Sequence, residues 1–170
     1  DHAFKSVQHI MHKVPFGWLF RQMHVVGSNL MLATIGLHMI TVFAMGNYKR
    51  PRELTWVGGA LLLLVTIAFG FSGYLLPWTQ LSYWATTVVT SIPTAIPVVG
   101  DFAAGILRGG DQVAGATLSR FFALHVSILP PLFMILVGAH LFLIKRIGIS
   151  ETPFGLPAEE IRPWTEYHKK

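Results

Sequence analysis

The sequence predicts an all-α membrane protein, a bundle of transmembrane helices with further helices at the membrane surface. Two observations predict this fold class. Of the 170 residues, 52% are hydrophobic and only 12% are charged, which lies outside the range of ordinary soluble domains. Three apolar stretches, at about 25–45, 56–76 and 121–144, each match the roughly 20 helical residues that cross a bilayer core. We expect three spans, with the chain ends on opposite sides of the membrane.

The charges follow this topology. The formal net charge is +5, but the basic residues flank the apolar spans and form no folded basic surface, so nucleic acid is not an expected partner. Basic clusters at 49–52 and 145–146 place both segments on the cytoplasmic or equivalent face by the positive-inside rule. The chain has no cysteine, which excludes disulfides, thiolate metal sites and covalent haem attachment through this chain.

The predicted elements fall into three blocks. Residues 1–20 are a polar surface segment, in which Phe16, Trp18 and Phe20 mark the interface where the first span enters. Residues 21–148 are the transmembrane bundle. Within it, the breakers and charges of 46–52 make a short loop, so the first two spans are antiparallel neighbours. Residues 149–170 form a polar tail.

The connection between the second and third spans, residues 79–119, contains too many breakers to cross the membrane, among them Pro93 and Pro97. A helix–helix connection of this length is unusual, and its apolar runs predict short helices lying at the membrane surface. The third span contains Pro130 and Pro131, which predict a kink unless neighbouring groups satisfy the freed carbonyls.

Four of the eight histidines lie in or at the edge of the spans, where polar side chains are costly and tend to be functional. His24 and His38 are 14 residues apart, and His125 and His140 are 15 apart. At about 100° and 1.5 Å per residue, each pair shares one helix face, with its members about 21 and 22 Å apart. One such histidine alone is as readily a hydrogen-bonded interface residue, but four at matching depth favour a shared role.

Parallel first and third spans would place His24 opposite His125 near one surface and His38 opposite His140 near the other. Two facing neutral imidazoles complete the coordination of a b-type haem iron and leave electron transfer as its role. The pattern therefore predicts two bis-histidine sites and two haem b groups.

Two glycines of the middle span repeat the histidine interval. Gly59 and Gly73 are 14 residues apart, and a flat, wide porphyrin needs neighbouring positions without side chains. Ordinary small-residue packing between membrane helices explains either glycine equally well. Their shared interval predicts one glycine beside each haem.

Haem propionates need cations or hydrogen-bond donors near each surface. Arg21, one turn before His24, and Arg120, five residues before His125, suit one haem. Trp56 and the basic cluster 49–52 suit the other. Arginines at span ends also serve as topology anchors, and this alternative stays open.

Together these residues resemble the amino-terminal half of cytochrome b from quinol:cytochrome c or plastocyanin oxidoreductases. The resemblance covers nearly residues 1–150, and the 15-residue histidine step is closer to the short, split photosynthetic type than to the long mitochondrial type. The matching runs are Phe20-Arg21-Gln22-Met23-His24, Tyr48-Lys49-Arg50-Pro51-Arg52-Glu53-Leu54-Thr55-Trp56, Gly73-Tyr74-Leu75-Leu76-Pro77-Trp78, Ala95-Ile96-Pro97, Leu107-Arg108-Gly109-Gly110 and Thr117-Leu118-Ser119-Arg120-Phe121-Phe122-Ala123-Leu124-His125.

The resemblance implies a haem of lower potential on His24 and His125 near the positive face, and one of higher potential on His38 and His140 near the negative face. It implies that electrons cross the membrane between a quinol-oxidation site and a quinone site, coupled to proton translocation. The localisation implied is a bacterial inner membrane or a thylakoid-type membrane.

The resemblance also implies a quinol pocket and partners. Residues 74–89, with Tyr74 and Ala85 as wall residues, would line part of the pocket. The implied partners are a Rieske iron–sulfur protein, a c-type cytochrome, a carboxy-terminal cytochrome b half or separate chain, membrane lipid, quinol and a second copy in a dimer. The chain would be a subunit of the oxidoreductase and inactive alone.

The chain departs from the family pattern at three places. Thr41 stands where the family often has arginine, and Thr79 stands where the photosynthetic type has aspartate. The family's four-helix bundle has a helix before the residues matched here. A third, covalently attached haem would need a cysteine on that helix, so this chain leaves it open.

Two alternative functions remain at the level of sequence. A di-haem membrane anchor of a dehydrogenase or hydrogenase also uses helix histidines, although the long surface connection argues against it. A histidine-based ion transporter would need acidic partners inside the membrane. The acidic residues occur only in loops and tails, which favours haem.

Overall fold

A computed structural model of the protein describes residues 2–149, and the described part is helical without a strand. The helices are α1 (His2–Lys13), α2 (Gly17–Ala44), α3 (Glu53–Leu75), α4 (Gln80–Ser91), α5 (Gly100–Arg108), α6 (Gly115–Ala123) and α7 (Leu129–Ile147). A 3₁₀ turn, Ile92–Ala95, follows α4, and a π turn, Leu124–Ile128, joins α6 to α7. The prediction of an all-α fold is confirmed.

Three helical segments are long and apolar enough to cross a membrane: Gly17–Ala44, Glu53–Leu75 and Gly115–Ile147. Large apolar side chains stay exposed along them, such as Leu37, Leu64 and Ile135, as expected where lipid replaces water as the solvent. The three predicted spans are therefore present. The first begins at Gly17, so four residues of the predicted surface segment 1–20 belong to this helix. The predicted tail lies outside the described residues beyond 149.

The contacts divide the described chain into two compact units. The first comprises residues 2–29 and 68–130, and the second comprises residues 30–67 and 131–149. Helices α2, α3 and α7 contribute residues to both units. Each unit is described separately below, because each contains one of the two predicted histidine pairs.

The first unit contains the connection 79–119, which forms helices as predicted. Thr79 caps α4 by accepting a hydrogen bond from the Ser82 backbone N–H at 3.2 Å, and Gly109 ends α5 with a φ of 78° that favours glycine. Arg108 Nε donates to Thr90 Oγ1 at 2.9 Å. Thr117 Oγ1 donates to the Arg108 carbonyl at 2.6 Å. These buried hydroxyls tie α4, α5 and α6 together.

The two prolines of the third span follow the π turn directly. The backbone N–H of Leu129 donates to the carbonyl of Leu124, five residues earlier. Pro130 and Pro131 follow Leu129 at the start of α7, within the continuous helical segment Gly115–Ile147, so neither can donate a backbone N–H to the preceding turn. The π turn lies directly before the two prolines and carries His125; the proline kink stays a prediction.

Candidate functional site: two histidine pairs

The first histidine pair lies in the first unit. The ring centroids of His24 and His125 are 6.2 Å apart, and the ring planes are 87° apart. Two imidazoles that bind one metal atom from opposite sides, with bonds of about 2 Å and about 1 Å from each nitrogen to its ring centre, have centroids about 6 Å apart. The separation of the two ring centroids is close to this value.

Residues of α3 hold the imidazole of His125. Ser72 Oγ lies 2.9 Å from His125 Nδ1, and the Phe69 ring packs edge-on at a centroid distance of 5.3 Å. A Cβ placed on Gly73 would lie only 2.7 Å from His125 Cε1. Any other residue here would require the ring to shift, so glycine leaves the space that this imidazole occupies. The prediction that Gly73 lies beside a haem stays a prediction.

The second histidine pair lies in the second unit, where His38 and His140 both line a cleft of about 180 Å³. Met39, Trp56 and Gly59 line the same cleft. A Cβ on Gly59 would lie 3.3 Å from His140 Cε1 and 3.7 Å from Met39 Sδ. Each glycine of the 14-residue interval thus lies beside one histidine of the third span: Gly73 beside His125 and Gly59 beside His140.

Unpaired polar atoms surround this second cleft. Among the described residues, Arg52 Nε and Thr55 Oγ1 are buried without a hydrogen-bond partner. Nδ1 of His140 is likewise buried without a hydrogen-bond partner. Buried donors and acceptors without partners cost about 1–3 kcal/mol each. A bound group that carries acceptors or negative charge would satisfy them.

The π turn reconciles the unequal histidine intervals. A π turn holds one residue more than the α-helical turn it replaces, so the 15 residues from His125 to His140 advance along the helix as about 14 would. That equals the interval from His24 to His38 in the uninterrupted helix α2. Counted in α-helical residues, the two histidine intervals are therefore about equal. The periodicity of the sequence does not show this one-residue difference in helical register.

The other predicted residues have distinct surroundings. Arg21 Nη1 lies 3.7 Å from Met11 Sδ. Arg120 Nη1 donates to the Ile106 carbonyl, so its guanidinium is engaged with the backbone of α5. Tyr74, near the end of α3, is 49% exposed, and Ala85 is half-buried on α4.

Trp56 is held in an aromatic cluster at the edge of the cleft. Its ring centroid lies 6.0 Å from that of Phe43 and 5.9 Å from that of Tyr48. The sequence prediction did not single out Ser72 or Thr55. A hydroxyl within an apolar span was the available signal, but only the folded chain shows which hydroxyl meets a histidine.

Comparison with known proteins agrees with these features. A sequence profile described as cytochrome b/b6/petB matches residues 1–148. Cytochrome b6 of Cyanidium caldarium is 49% identical over 148 residues, which are 87% of this chain and 69% of that protein. The chain belongs to the cytochrome b/b6 family. Cytochrome b6 of Synechococcus sp. (strain RCC307) is 46% identical over 148 residues, which are 87% of this chain and 68% of that protein.

A solved structure extends the likeness to three dimensions. A chain of a hyperthermophilic respiratory complex III superposes with a TM-score of 0.82 and 40% sequence identity. The match covers 97% of this chain and 46% of the other, so the chain spans less than half the length of that relative. As a family member with three apolar spans, the chain is an integral membrane protein.

Membership of a b-type cytochrome family implies haem b. The residues of both units fit such a group. His24 and His125 have the ring separation of a shared iron, and Gly73 clears the space that the second ring needs. In the second unit, the unpaired Arg52 and Thr55 atoms are suited to acidic or polar substituents of a bound group.

Proposed function

We propose that this chain is the di-haem b subunit of a quinol-oxidising, bc-type complex. The observation that carries the proposal is the pairing of His24 with His125 across 6.2 Å, in a chain that belongs to the cytochrome b/b6 family. His24 and His125 would hold one haem, and His38 and His140 the other. The bound haems would supply one-electron transfer between the positive and negative sides of the membrane.

The chain's own residues position the two groups. Gly73 and Gly59 leave space beside His125 and His140, so the ligand rings meet no Cβ from α3. Around the second group, Arg52 Nε would pair with a propionate. We keep Arg21, Arg120 and Trp56 as further candidate contacts.

The quinol-oxidation pocket would lie on the positive side, with residues 74–89 lining part of it. Tyr74, which is 49% exposed, and Ala85 are its candidate wall residues. Helix α4 is anchored by buried Ser82, Thr86 and Thr90, and its opposite face carries exposed Leu81 and Val88. A fixed helix with an apolar exposed face suits a hydrophobic substrate.

The remaining pocket wall and the electron acceptor would come from other chains. We propose a Rieske iron–sulfur protein, a c-type cytochrome and a carboxy-terminal cytochrome b portion as partners, in a dimeric complex of a bacterial inner membrane or thylakoid-type membrane. Quinol oxidation there would be coupled to proton translocation. A di-haem anchor or an ion transporter is the competing function.

The test is the haem content of the complex purified from membranes with the full chain. We would record the dithionite-reduced minus oxidised absorption spectrum and the haem per chain for the unmodified protein and for His24→Ala and His38→Ala. His9→Ala is the matched control, because His9 is an exposed histidine of α1.

The proposal predicts a bis-histidine b-type spectrum with two haems per chain, the loss of one haem in each span variant, and no loss in the control. It also predicts quinol-dependent reduction of the unmodified complex. A chain without haem would contradict it and favour ion transport, whereas two haems without quinol oxidation would favour the anchor of another enzyme.

A further inference from the structure

Ser72 is a buried hydroxyl beside a haem-ligand candidate. It lies on α3, and its side chain is fully buried. Its oxygen is 2.7 Å from the Ala68 carbonyl and 3.2 Å from the Phe69 carbonyl. A serine hydroxyl has a single hydrogen, and either of these carbonyls of its own helix can accept it.

The third neighbour of Ser72 Oγ is His125 Nδ1 at 2.9 Å. When the hydroxyl hydrogen is directed to the carbonyls, Oγ accepts in this contact and Nδ1–H donates. In this arrangement the proton lies on Nδ1, and the lone pair of Nε2 is left free for a metal.

The second site has no such contact among the described residues. Nδ1 of His140 makes no hydrogen bond to a hydroxyl, and the nearby Thr55 Oγ1 is unpaired. A ligand imidazole that donates its other N–H becomes more basic and gives more electron density to the metal. Greater donation stabilises the oxidised iron and so lowers the reduction potential.

We propose that Ser72 is a positioning residue that fixes the tautomer and plane of His125 and lowers the reduction potential of the haem on this side relative to the other. This inference rests on the proposed function, since it needs a haem between His24 and His125. The hydroxyl of Ser72 would then be one source of the difference in reduction potential between two otherwise similar bis-histidine sites.

The experiment is a redox titration of the purified complex, followed in the haem α-band, with electron paramagnetic resonance of the oxidised haems as a second readout. The variants are Ser72→Ala, which removes the acceptor, and Ser72→Thr, which keeps a hydroxyl. Thr66→Val is the control, because Thr66 is another buried α3 hydroxyl that bonds only its own helix, at 2.7 Å to the Leu62 carbonyl.

For Ser72→Ala we expect both haems to stay bound, because His24, His125 and the space left by Gly73 are unchanged. The midpoint potential of one haem should rise and its resonance signal should change, while the other haem stays the same. Ser72→Thr should restore the unmodified values, and Thr66→Val should leave both haems unchanged. Loss of one haem in Ser72→Ala, with retention in Ser72→Thr, would also support the role of the hydroxyl.

Unchanged potentials and signals in Ser72→Ala would overturn the inference. An equal shift in Thr66→Val, or loss of the haem in both Ser72 variants, would do so as well, because packing of α3 would then explain the effect. Failure of the proposed function is distinguishable, since the unmodified complex would then contain no haem between His24 and His125 to titrate.

Discussion

Replacing Gly73 with alanine tests the space that α3 leaves for His125. The new Cβ would lie 2.7 Å from His125 Cε1 and 3.3 Å from both ring nitrogens. The optimal separation of two carbon atoms is about 3.5 Å, so the ring must move by about 0.8 Å. A free imidazole can turn away, but an imidazole bonded to iron on one side is held in place. The strain should therefore weaken the iron–histidine bond.

The magnitude follows from two opposing terms. Overpacking a filled site costs about 1–3 kcal/mol, whereas alanine favours a helix interior over glycine by about 1 kcal/mol. The net cost to folding stability is about 0–2 kcal/mol. For haem retention the propensity term cancels, because α3 is helical with and without haem, and a strain of about 2 kcal/mol corresponds to about 30-fold weaker retention, at tenfold per 1.4 kcal/mol. A gain in helix propensity alone would stabilise the protein, so the sign of the change in stability separates helix propensity from strain at the site.

The assay measures haem per chain and the temperature of haem loss in the purified complex. Gly59→Ala should give a smaller loss at the other site, because its Cβ would meet His140 at 3.3 Å. Gly138→Ala is the control, since nothing lies within 4 Å of its added Cβ. Equal haem retention in Gly73→Ala and Gly138→Ala would refute the reasoning.

Three further predictions concern charge, hydrogen bonding and helix register. Arg52→Gln removes a positive charge from the second cleft and should lower the midpoint potential of one haem by about 40 mV, or on the order of 1 kcal/mol. The side chain of Arg50 is 95% exposed, so Arg50→Gln should leave that potential unchanged in the same redox titration. Thr117→Val removes two hydrogen bonds between the Thr117 hydroxyl and the backbone and should reduce the free energy of unfolding by about 1–3 kcal/mol, measured by thermal unfolding. Thr94 is exposed, so Thr94→Val should change the free energy of unfolding by less than about 0.5 kcal/mol. Deleting Val126 removes the extra residue of the π turn and should preserve both haems. Inserting an alanine after Val126 adds a further residue, turns the helix by about 100° and should cause the loss of at least one haem. Equal haem content in the two proteins would count against the register argument.

The number and position of the membrane spans could be predicted from local sequence properties. Length and hydropathy located three spans because a bilayer imposes both on any helix that crosses it. The histidine intervals likewise predicted which residues of one helix share a face. The structure then placed His24 and His125 opposite each other, which depends on how two helices pack.

Other features of the site depend on backbone register and packing that periodicity does not contain. The π turn before Pro130 shifts the register by one residue, and an α-helical projection assigns His125 a different angle. The pairing of Ser72 with His125 requires two helices to approach at one depth. Arg120 was predicted as a propionate partner from its distance along the chain, and its engagement with the Ile106 carbonyl arises from the packing of α5 on α6.

The most direct test is an experimental structure of the intact complex that resolves the axial ligands of each haem iron. We expect two haems in this chain, one bonded through Nε2 of His24 and His125 and one bonded by His38 and His140. An iron ligated by any other residue, or a chain with fewer than two haems, would contradict the account.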